Sequence, residues 1–181
     1  MTLKEFQPQA IRTLAELGSR LMNSIHMTLG MGSELLKELL EAIRKEDQVN
    51  TAEELGDTQW FAVVYCHIWN IDINQTLIDE KLKNGRESLL DGFLQALGHL
   101  QELDKNELAY KREVPADDPT RIRAVHTLLA FTEATAQEFD INMSDVRTKI
   151  IDKLRVRFPE KFSEEHANVR DLHAERKALE S

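Results

Sequence analysis

Residues 52–61 read "AEELGDTQWF", and this stretch places three acidic residues at the head of an apolar run. Residues three, four and seven positions apart share a helix face, so Glu54 and Asp57 lie on a stripe that continues through Phe61. Carboxylates gathered at the rim of a core, here with Glu53 beside them, repel one another unless a cation lies among them. The stretch therefore predicts a core helix with a cation-binding rim.

A second acidic stripe precedes the first. In "ELLKELLE", residues 34–41, the spacing of Glu34, Glu38 and Glu41 places them on one side of a helix. Two antiparallel helices joined by "KEDQVN" at 45–50 would aim both acid sets at one point, where carboxylate oxygens suit Mg²⁺ or Mn²⁺. The alternative for this first stripe is a plain solvated face, because leucines occupy the opposite side.

The composition predicts an all-α protein. Of 181 residues 41% are hydrophobic, and there are only 7 Gly and 4 Pro, so helix formers dominate and strand signals are scarce. A break is expected at Asn84-Gly85. Apolar spacing predicts helices at about 8–28, 33–46, 51–69, 74–84, 87–110, 119–138, 143–156 and 164–179.

The charge and the cysteine count exclude several classes of function. A net charge of -9 argues against a surface that coats nucleic acid, because such surfaces neutralise phosphates with Lys and Arg. No apolar run reaches the length of a membrane helix or resembles a signal peptide. The single cysteine, Cys66, permits no internal disulfide. We therefore expect a soluble, cytoplasmic protein that binds neither membrane nor nucleic acid.

An internal repeat predicts the domain organisation. "TLGMGSELL" at 28–36 superposes on "ALGHLQELD" at 96–104, and "DIN" at 72–74 falls on "DIN" at 140–142 in the same register. This predicts a tandem duplication of one helical unit within a helical bundle. The predicted parts are a first unit at 1–86 with the acids, a second unit at 87–162, and a charged C-terminal helix or arm at 163–181.

The second unit is degenerate in the acidic positions. In the register of the repeat, Glu54 falls opposite Ile122 and Asp57 falls opposite Val125. One copy therefore keeps the acids and the other has lost them, so we expect one site per chain. The second unit could serve as an internal partner, and a homodimer is the alternative.

The acidic pattern resembles a known signature. Glu38-x-x-Glu41 followed by Glu54-x-x-Asp57 resembles the metal-binding motifs of the all-α nucleoside triphosphate pyrophosphohydrolases, the MazG-like superfamily, which includes dimeric dUTPases and phosphoribosyl-ATP pyrophosphatases. "FQPQAIRT" near the start, and "KLRVRFPEKFSEEHANVRDLHAERKALE" near the end, also resemble phage and bacterial members.

The resemblance implies an activity and a cofactor. Glu38, Glu41, Glu54 and Asp57 would hold Mg²⁺, with Mn²⁺ as a substitute, and a water would attack the α-phosphorus of a nucleoside triphosphate. The products would be nucleoside monophosphate and pyrophosphate, in a house-cleaning role for the nucleotide pool. Because the first motif is one residue longer than the family pattern, Glu34 is an alternative to Glu41.

The same resemblance places a Lys, and often an Arg, on a later helix to meet the phosphates. The candidates are Lys81 in the first copy and Lys153 with Arg157 in the second, and the sequence leaves open which copy faces the acids. Trp60 would border the base pocket, although a Trp on an apolar stripe is usually a core residue.

Two alternatives to this function stay open. A non-catalytic helical adaptor or regulator would retain the fold and use its acidic faces for protein contacts. Within the family, a dUTPase-like or a phosphoribosyl-ATP pyrophosphatase-like specificity would use the same acids with a different base pocket. No residue of the sequence identifies the base.

Overall fold

A computed structural model describes residues 1–83 and 86–180, and within 86–90 it describes the backbone alone. Ten α-helices and one π-helical turn occur in this part of the chain. They are α1 (Leu3–Ile11), α2 (Arg20–Ser33), the π turn (Glu34–Glu38), α3 (Leu39–Arg44), α4 (Gln48–Trp69), α5 (Gln75–Leu82), α6 (Arg86–Tyr110), α7 (Pro119–Glu138), α8 (Met143–Arg157), α9 (Glu164–Asn168) and α10 (Leu172–Glu180).

Four long helices form the centre of the bundle. Helix α2 packs on α4 and α6, and α7 packs on the same two helices. Over 1–83 and 86–180 there is no strand, and no helix is long and apolar enough to cross a membrane. The prediction of an all-α helical bundle is therefore confirmed.

The acids lie on a helical hairpin, in which α2, the π turn and α3 form the first arm and α4 forms the second. The two arms are antiparallel, as predicted. The Trp69 indole donates to Ser24 Oγ at 2.8 Å, near one end of the hairpin, whereas Glu34 hydrogen-bonds Glu54 nearer the turn. Helix α4 starts where the Asp47 side chain accepts the backbone N–H of Asn50 and so satisfies one of the free donors of the first turn. The hairpin thus brings both acidic motifs to one level of the bundle.

Two predicted helices are wrong in their extent. The helix expected at 8–28 is two helices, α1 and α2, because Gly18 adopts a φ of +79° and Ser19 then caps α2 through the backbone N–H of Met22. The tail expected as one helix at 164–179 is α9 and α10. The predicted break at Asn84-Gly85 lies outside the described residues.

The chain passes through a π turn in the first acidic motif. The backbone N–H of Leu39 donates to the carbonyl oxygen of Glu34, five residues earlier, instead of four as in an α-helix. One additional residue in a turn shifts every later side chain around the helix axis. The one-residue excess seen in "ELLKELLE" is thus accommodated within the helix.

The last helix of each predicted unit packs on the other unit. Helix α5, in the first unit, packs on α7, and α8, in the second unit, packs on α4. The two "DIN" copies end at Asn74 and Asn142, and each asparagine side chain caps the helix that follows. The duplication itself and the homodimer stay predictions.

Gly56 sets the distance between α4 and α8. A Cβ added at this residue would lie 2.5 Å from Ile150 Cγ1 and 2.7 Å from Val146 Cγ1, well inside van der Waals contact. Because Asp57 follows Gly56 and Lys153 lies one turn after Ile150, the same close approach brings their side chains together.

Substitution of Gly56 by Ala is expected to lower the free energy of unfolding by about 1–3 kcal/mol, because the methyl group overpacks the contact with α8. Gly98 on α6 is the matched control, since it is an exposed helical glycine with no atom within 4 Å of an added Cβ. Gly98→Ala is expected to be neutral or stabilising by up to about 1 kcal/mol through helix propensity. Urea denaturation of the two variants measures both values, and equal effects would contradict the close approach.

Candidate active site

A cavity of about 780 Å³ lies against the acidic hairpin. It is bounded by the π turn, α4, α8 and the C-terminal segment, residues 158–180. The acidic residues that line it are Glu34, Glu38, Glu53, Glu54, Asp57 and Glu175, and the basic ones are Lys153, Arg157, Arg170 and Arg176. A negative wall and several cations therefore face one cavity that is open to solvent on one side.

The π turn decides which glutamates of the first motif reach the cavity. Glu34 and Glu38 line it, whereas Glu41 is not among its described lining residues. The Glu41 side chain is 49% exposed and accepts a hydrogen bond from Lys45 Nζ at 2.6 Å. The three glutamates would share a stripe on a regular α-helix, but the wider turn moves Glu41 away from the other two.

The acids of the two motifs meet in a hydrogen bond between Glu34 and Glu54. Burial, the hydrogen bond to Glu34 and the charge of Asp57 raise the pKa of Glu54 to about 9. Burial also raises the pKa of Glu34, while its hydrogen bond with Glu54 opposes the rise. Glu54 thus holds a proton at neutral pH and donates it toward the Glu34 carboxylate.

Lys153 is the cation that stabilises the rim in this structure. Its Nζ lies 2.7 Å from Asp57 Oδ1 and 3.1 Å from Glu53 Oε1, and its side chain is 5% exposed. Burial alone would lower the pKa of Lys153, but the charges of Asp57 and Glu53 outweigh it, so the pKa is raised. The buried ammonium therefore stays charged and neutralises part of the acidic wall.

Lys81, the alternative phosphate ligand, lies elsewhere. It lines a separate groove with Ile122, Arg123 and His126 on α7, and it is not among the described residues of the acidic cavity. Burial, followed by the charge of Arg123, lowers the pKa of Lys81. Because α5 packs on α7 and α8 packs on α4, Lys153 is the one of the two candidate lysines that meets the acids.

An aromatic end adjoins the charged part of the cavity. Trp60 contacts Phe61 edge to face with a centroid separation of 4.9 Å, and its indole N–H donates to Ala10 O and Thr13 Oγ1. Trp60 is only 8% exposed, so it is a core residue whose edge lines the cavity. Two further aromatic residues, Phe158 and Phe162, line the same cavity.

Several residues of the cavity were missed by the sequence reasoning. They are His26, Arg170, Glu175 and Arg176. Burial lowers the pKa of His26, and its Nδ1 is buried without a hydrogen-bond partner among the described groups. The resemblance of the tail to family members was the one signal for Arg170 and Arg176, and nothing in the local pattern around His26 indicates a shared cavity.

The donor set fits a hard divalent cation by its chemistry. Carboxylate oxygens of Glu34, Glu38, Glu54 and Asp57 line one cavity, and Glu34 and Glu54 are close enough to share a proton that a metal ion would replace. Within the described part of the chain, no three acidic, His or Cys side chains already have the spacing of a closed metal site. Asp57, in particular, is engaged by Lys153.

The fold and the cavity define an all-α protein with a carboxylate cluster and a cationic wall in a volume large enough for a nucleotide. Residues 26–88 match the family of the MazG nucleotide pyrophosphohydrolase domain. The matched residues include the π turn, both acidic motifs and Trp60, so the resemblance inferred from the sequence is confirmed there. No curated protein and no solved structure matches the chain. Lys153 and the C-terminal segment lie outside the matched residues.

The Glu34–Glu54 contact predicts a pH-dependent stability. The folded protein keeps the proton of Glu54 up to about pH 9, whereas the unfolded chain releases it near the ordinary value of 4.5, so this residue destabilises the fold increasingly as the pH rises between these values. Without divalent metal, Glu54→Gln should therefore gain thermal stability over the original protein as the pH rises from 5 to 9.

Differential scanning fluorimetry in EDTA across this pH range measures the effect. Glu41→Gln is the matched control, because Glu41 is exposed and its pKa is lowered by the hydrogen bond and charge of Lys45. The melting temperature of Glu41→Gln, relative to that of the original protein, should not increase as the pH rises. Parallel melting curves for Glu54→Gln and the original protein would contradict the shared proton.

Proposed function

We propose that this protein hydrolyses nucleoside triphosphates, ribo or deoxy, to nucleoside monophosphate and pyrophosphate with Mg²⁺ or Mn²⁺. The observation that carries the proposal is the convergence of Glu34, Glu38, Glu54 and Asp57 on one cavity that also contains the buried Lys153. The MazG nucleotide pyrophosphohydrolase match over 26–88 supports the same reaction class.

The four carboxylates would hold the metal. When bound, Mg²⁺ supplies charge neutralisation for the triphosphate and lowers the pKa of a water so that it can act as the nucleophile. Glu34 and Glu54 contribute by releasing the proton that they share, since metal ligation requires the charged form. Glu34, rather than Glu41, completes the set in this proposal, because only Glu34 faces the cavity.

The cations of α8 would bind the phosphates. Lys153 and Arg157 lie one turn apart on α8 and line the same cavity as the acids, with Lys153 in direct contact with Asp57 and Glu53. An ammonium and a guanidinium offset the negative charge that develops on the leaving oxygens during attack at the α-phosphorus. The burial of Lys153 strengthens this contribution, because charges interact more strongly away from water.

The aromatic end of the cavity would accept the base. Trp60, Phe61, Phe158 and Phe162 present apolar edges to the same volume, and bases pack favourably against aromatic side chains. His26 adds a polar ring whose Nδ1 has no described partner. These side chains would determine a dUTPase-like or a phosphoribosyl-ATP pyrophosphatase-like specificity. Such a specificity would appear as faster hydrolysis of one nucleotide in a panel of nucleotides.

A second candidate is a non-catalytic regulator or adaptor that retains the fold. It is favoured by the contacts of Lys153, which neutralise Asp57 and Glu53 from within the chain and so reduce the need for a metal. In that case the acidic cavity would be a structural feature, and divalent metal would neither stabilise the protein nor support hydrolysis.

Pyrophosphate release from a panel of common ribo- and deoxynucleoside triphosphates, with Mg²⁺ or Mn²⁺, tests the proposal. Glu34→Gln should lower kcat by about 100-fold or more, because it removes a charged ligand from the metal site. Glu41→Gln is the matched control on the same motif and should stay within about twofold of the original protein, because its side chain faces solvent.

Two outcomes would contradict the proposal. Absence of pyrophosphate release from every nucleotide, together with melting temperatures unchanged by Mg²⁺ and Mn²⁺, would favour the non-catalytic regulator. A loss of activity in Glu41→Gln with normal activity in Glu34→Gln would instead show that Glu41, and not Glu34, binds the metal together with Glu38, Glu54 and Asp57.

A further inference from the structure

We propose that Arg170, in the turn between α9 and α10, binds the phosphates beyond the α-phosphate of the substrate. This inference rests on the proposed function and adds to it a residue that lies outside the segment matched by the MazG domain. The C-terminal segment, residues 158–180, would accordingly be a wall of the active site rather than a peripheral arm. The side chains of this segment that line the cavity include Arg170, Glu175 and Arg176.

Hydrogen bonds hold both ends of the C-terminal segment against the rest of the protein. At its start, Arg12 Nη1 donates to Phe158 O at 2.7 Å and to Glu160 O at 2.5 Å. At its end, Lys149 Nζ donates to Leu179 O at 3.0 Å. Its side chains are thus held at the cavity by contacts with α1 and α8.

The Arg170 guanidinium is positioned by a buried carboxylate. Its Nε and Nη2 both donate to Glu175, whose side chain is 4% exposed, whereas the Arg170 side chain is 40% exposed. Glu175 occupies one edge of the guanidinium, and Nη1 has no hydrogen bond to the described residues. A planar guanidinium with one edge fixed and further N–H donors available is well suited to a phosphate.

A second guanidinium is held next to the first. Burial and then the charge of Arg170 lower the pKa of Arg157, so the two cations are close enough to repel each other. The Nε of Arg157 is buried and has no hydrogen-bond partner among the described groups, while its Nη2 donates to Ala167 O at 3.1 Å. Two neighbouring cations with an unpaired donor favour an anion in the cavity.

Arg170 and the acids line the same cavity, which places both within one binding volume. After its hydrogen bond to Glu175, the charges of Glu53 and Asp57 contribute to raising the pKa of Arg170. The α-phosphate has to lie with the metal-binding carboxylates, where the water attacks. The later phosphates carry most of the remaining negative charge, and Arg170 and Arg157 offer the donors to receive it.

Binding of inorganic tripolyphosphate in the presence of Mg²⁺, measured by calorimetry, tests this inference without any nucleotide base. Arg170→Ala should weaken the affinity by roughly 10- to 100-fold, as expected for a charge-assisted hydrogen bond, and should raise KM for the preferred nucleotide more than it lowers kcat. Arg155→Ala is the matched control, because Arg155 on α8 pairs with Asp152 on the exposed surface. It should bind like the original protein.

Arg170→Ala leaves the buried Glu175 without its partner and could disturb the fold, so a second variant is needed. Arg170→Gln combined with Glu175→Gln removes both charges and keeps a neutral pair of similar size. Weakened tripolyphosphate binding in this double variant, with an unchanged melting temperature, supports the role of Arg170. Binding equal to that of the original protein in either folded variant overturns it, as does a lack of binding by the original protein.

The same measurements distinguish this inference from the proposed function. If no nucleotide is hydrolysed but tripolyphosphate binding depends on Arg170, the phosphate site stands and the hydrolytic function fails. If nucleotides are hydrolysed and the Arg170 variants keep the KM of the original protein, the function stands and the assignment of Arg170 fails.

Discussion

The contact between Lys153 and the acids of α4 is the constraint on which the site depends. Lys153 is buried, and its desolvation is compensated only because Asp57 and Glu53 lie within hydrogen-bond distance of its ammonium. That distance requires α8 to lie close to α4, and Gly56 permits the approach by having no side chain. Lys153 of α8 and the acids Asp57 and Glu53 of α4, which are distant in the chain, therefore form one cluster of ion pairs that lines the cavity.

The π turn is the second constraint, because it decides which acids of the first motif line that cavity. Inserting a residue into a helix without breaking it costs hydrogen-bond geometry, and such turns are frequent at functional sites. Here the turn directs Glu34 and Glu38 toward the hairpin partner and leaves Glu41 paired with Lys45 in solvent. The resulting closeness of Glu34 and Glu54 is unfavourable without a cation or a proton, and here a shared proton relieves the repulsion. A divalent cation could take the place of that proton, which is the physical argument for metal binding.

The packing of α8 on α4 explains the composition of the site. Helix α8 follows α4 by many residues in the chain, and its contact with α4 brings Lys153 to the acids. Helix α5 instead packs on α7, where Lys81 lines a groove with Ile122 and Arg123 and meets no acid of α4 among the described lining residues. Helix α8 therefore contributes cations and packing surface, and the C-terminal segment lines the cavity with arginines from outside the matched domain.

The sequence by itself determined the helical class, the antiparallel hairpin and the acidic residues of α4, because helical periodicity and the "EELGD" spacing are local properties. The length of the first motif left Glu34 and Glu41 as alternatives, and only the tertiary structure decided that Glu34 lines the cavity, because the π turn moves Glu41 away from it. The choice of Lys153 over Lys81, and the presence of His26 and Arg170, likewise depend on which helices pack together. Packing between distant segments depends on the whole chain, so the local sequence pattern of one helix does not show which other helices it contacts.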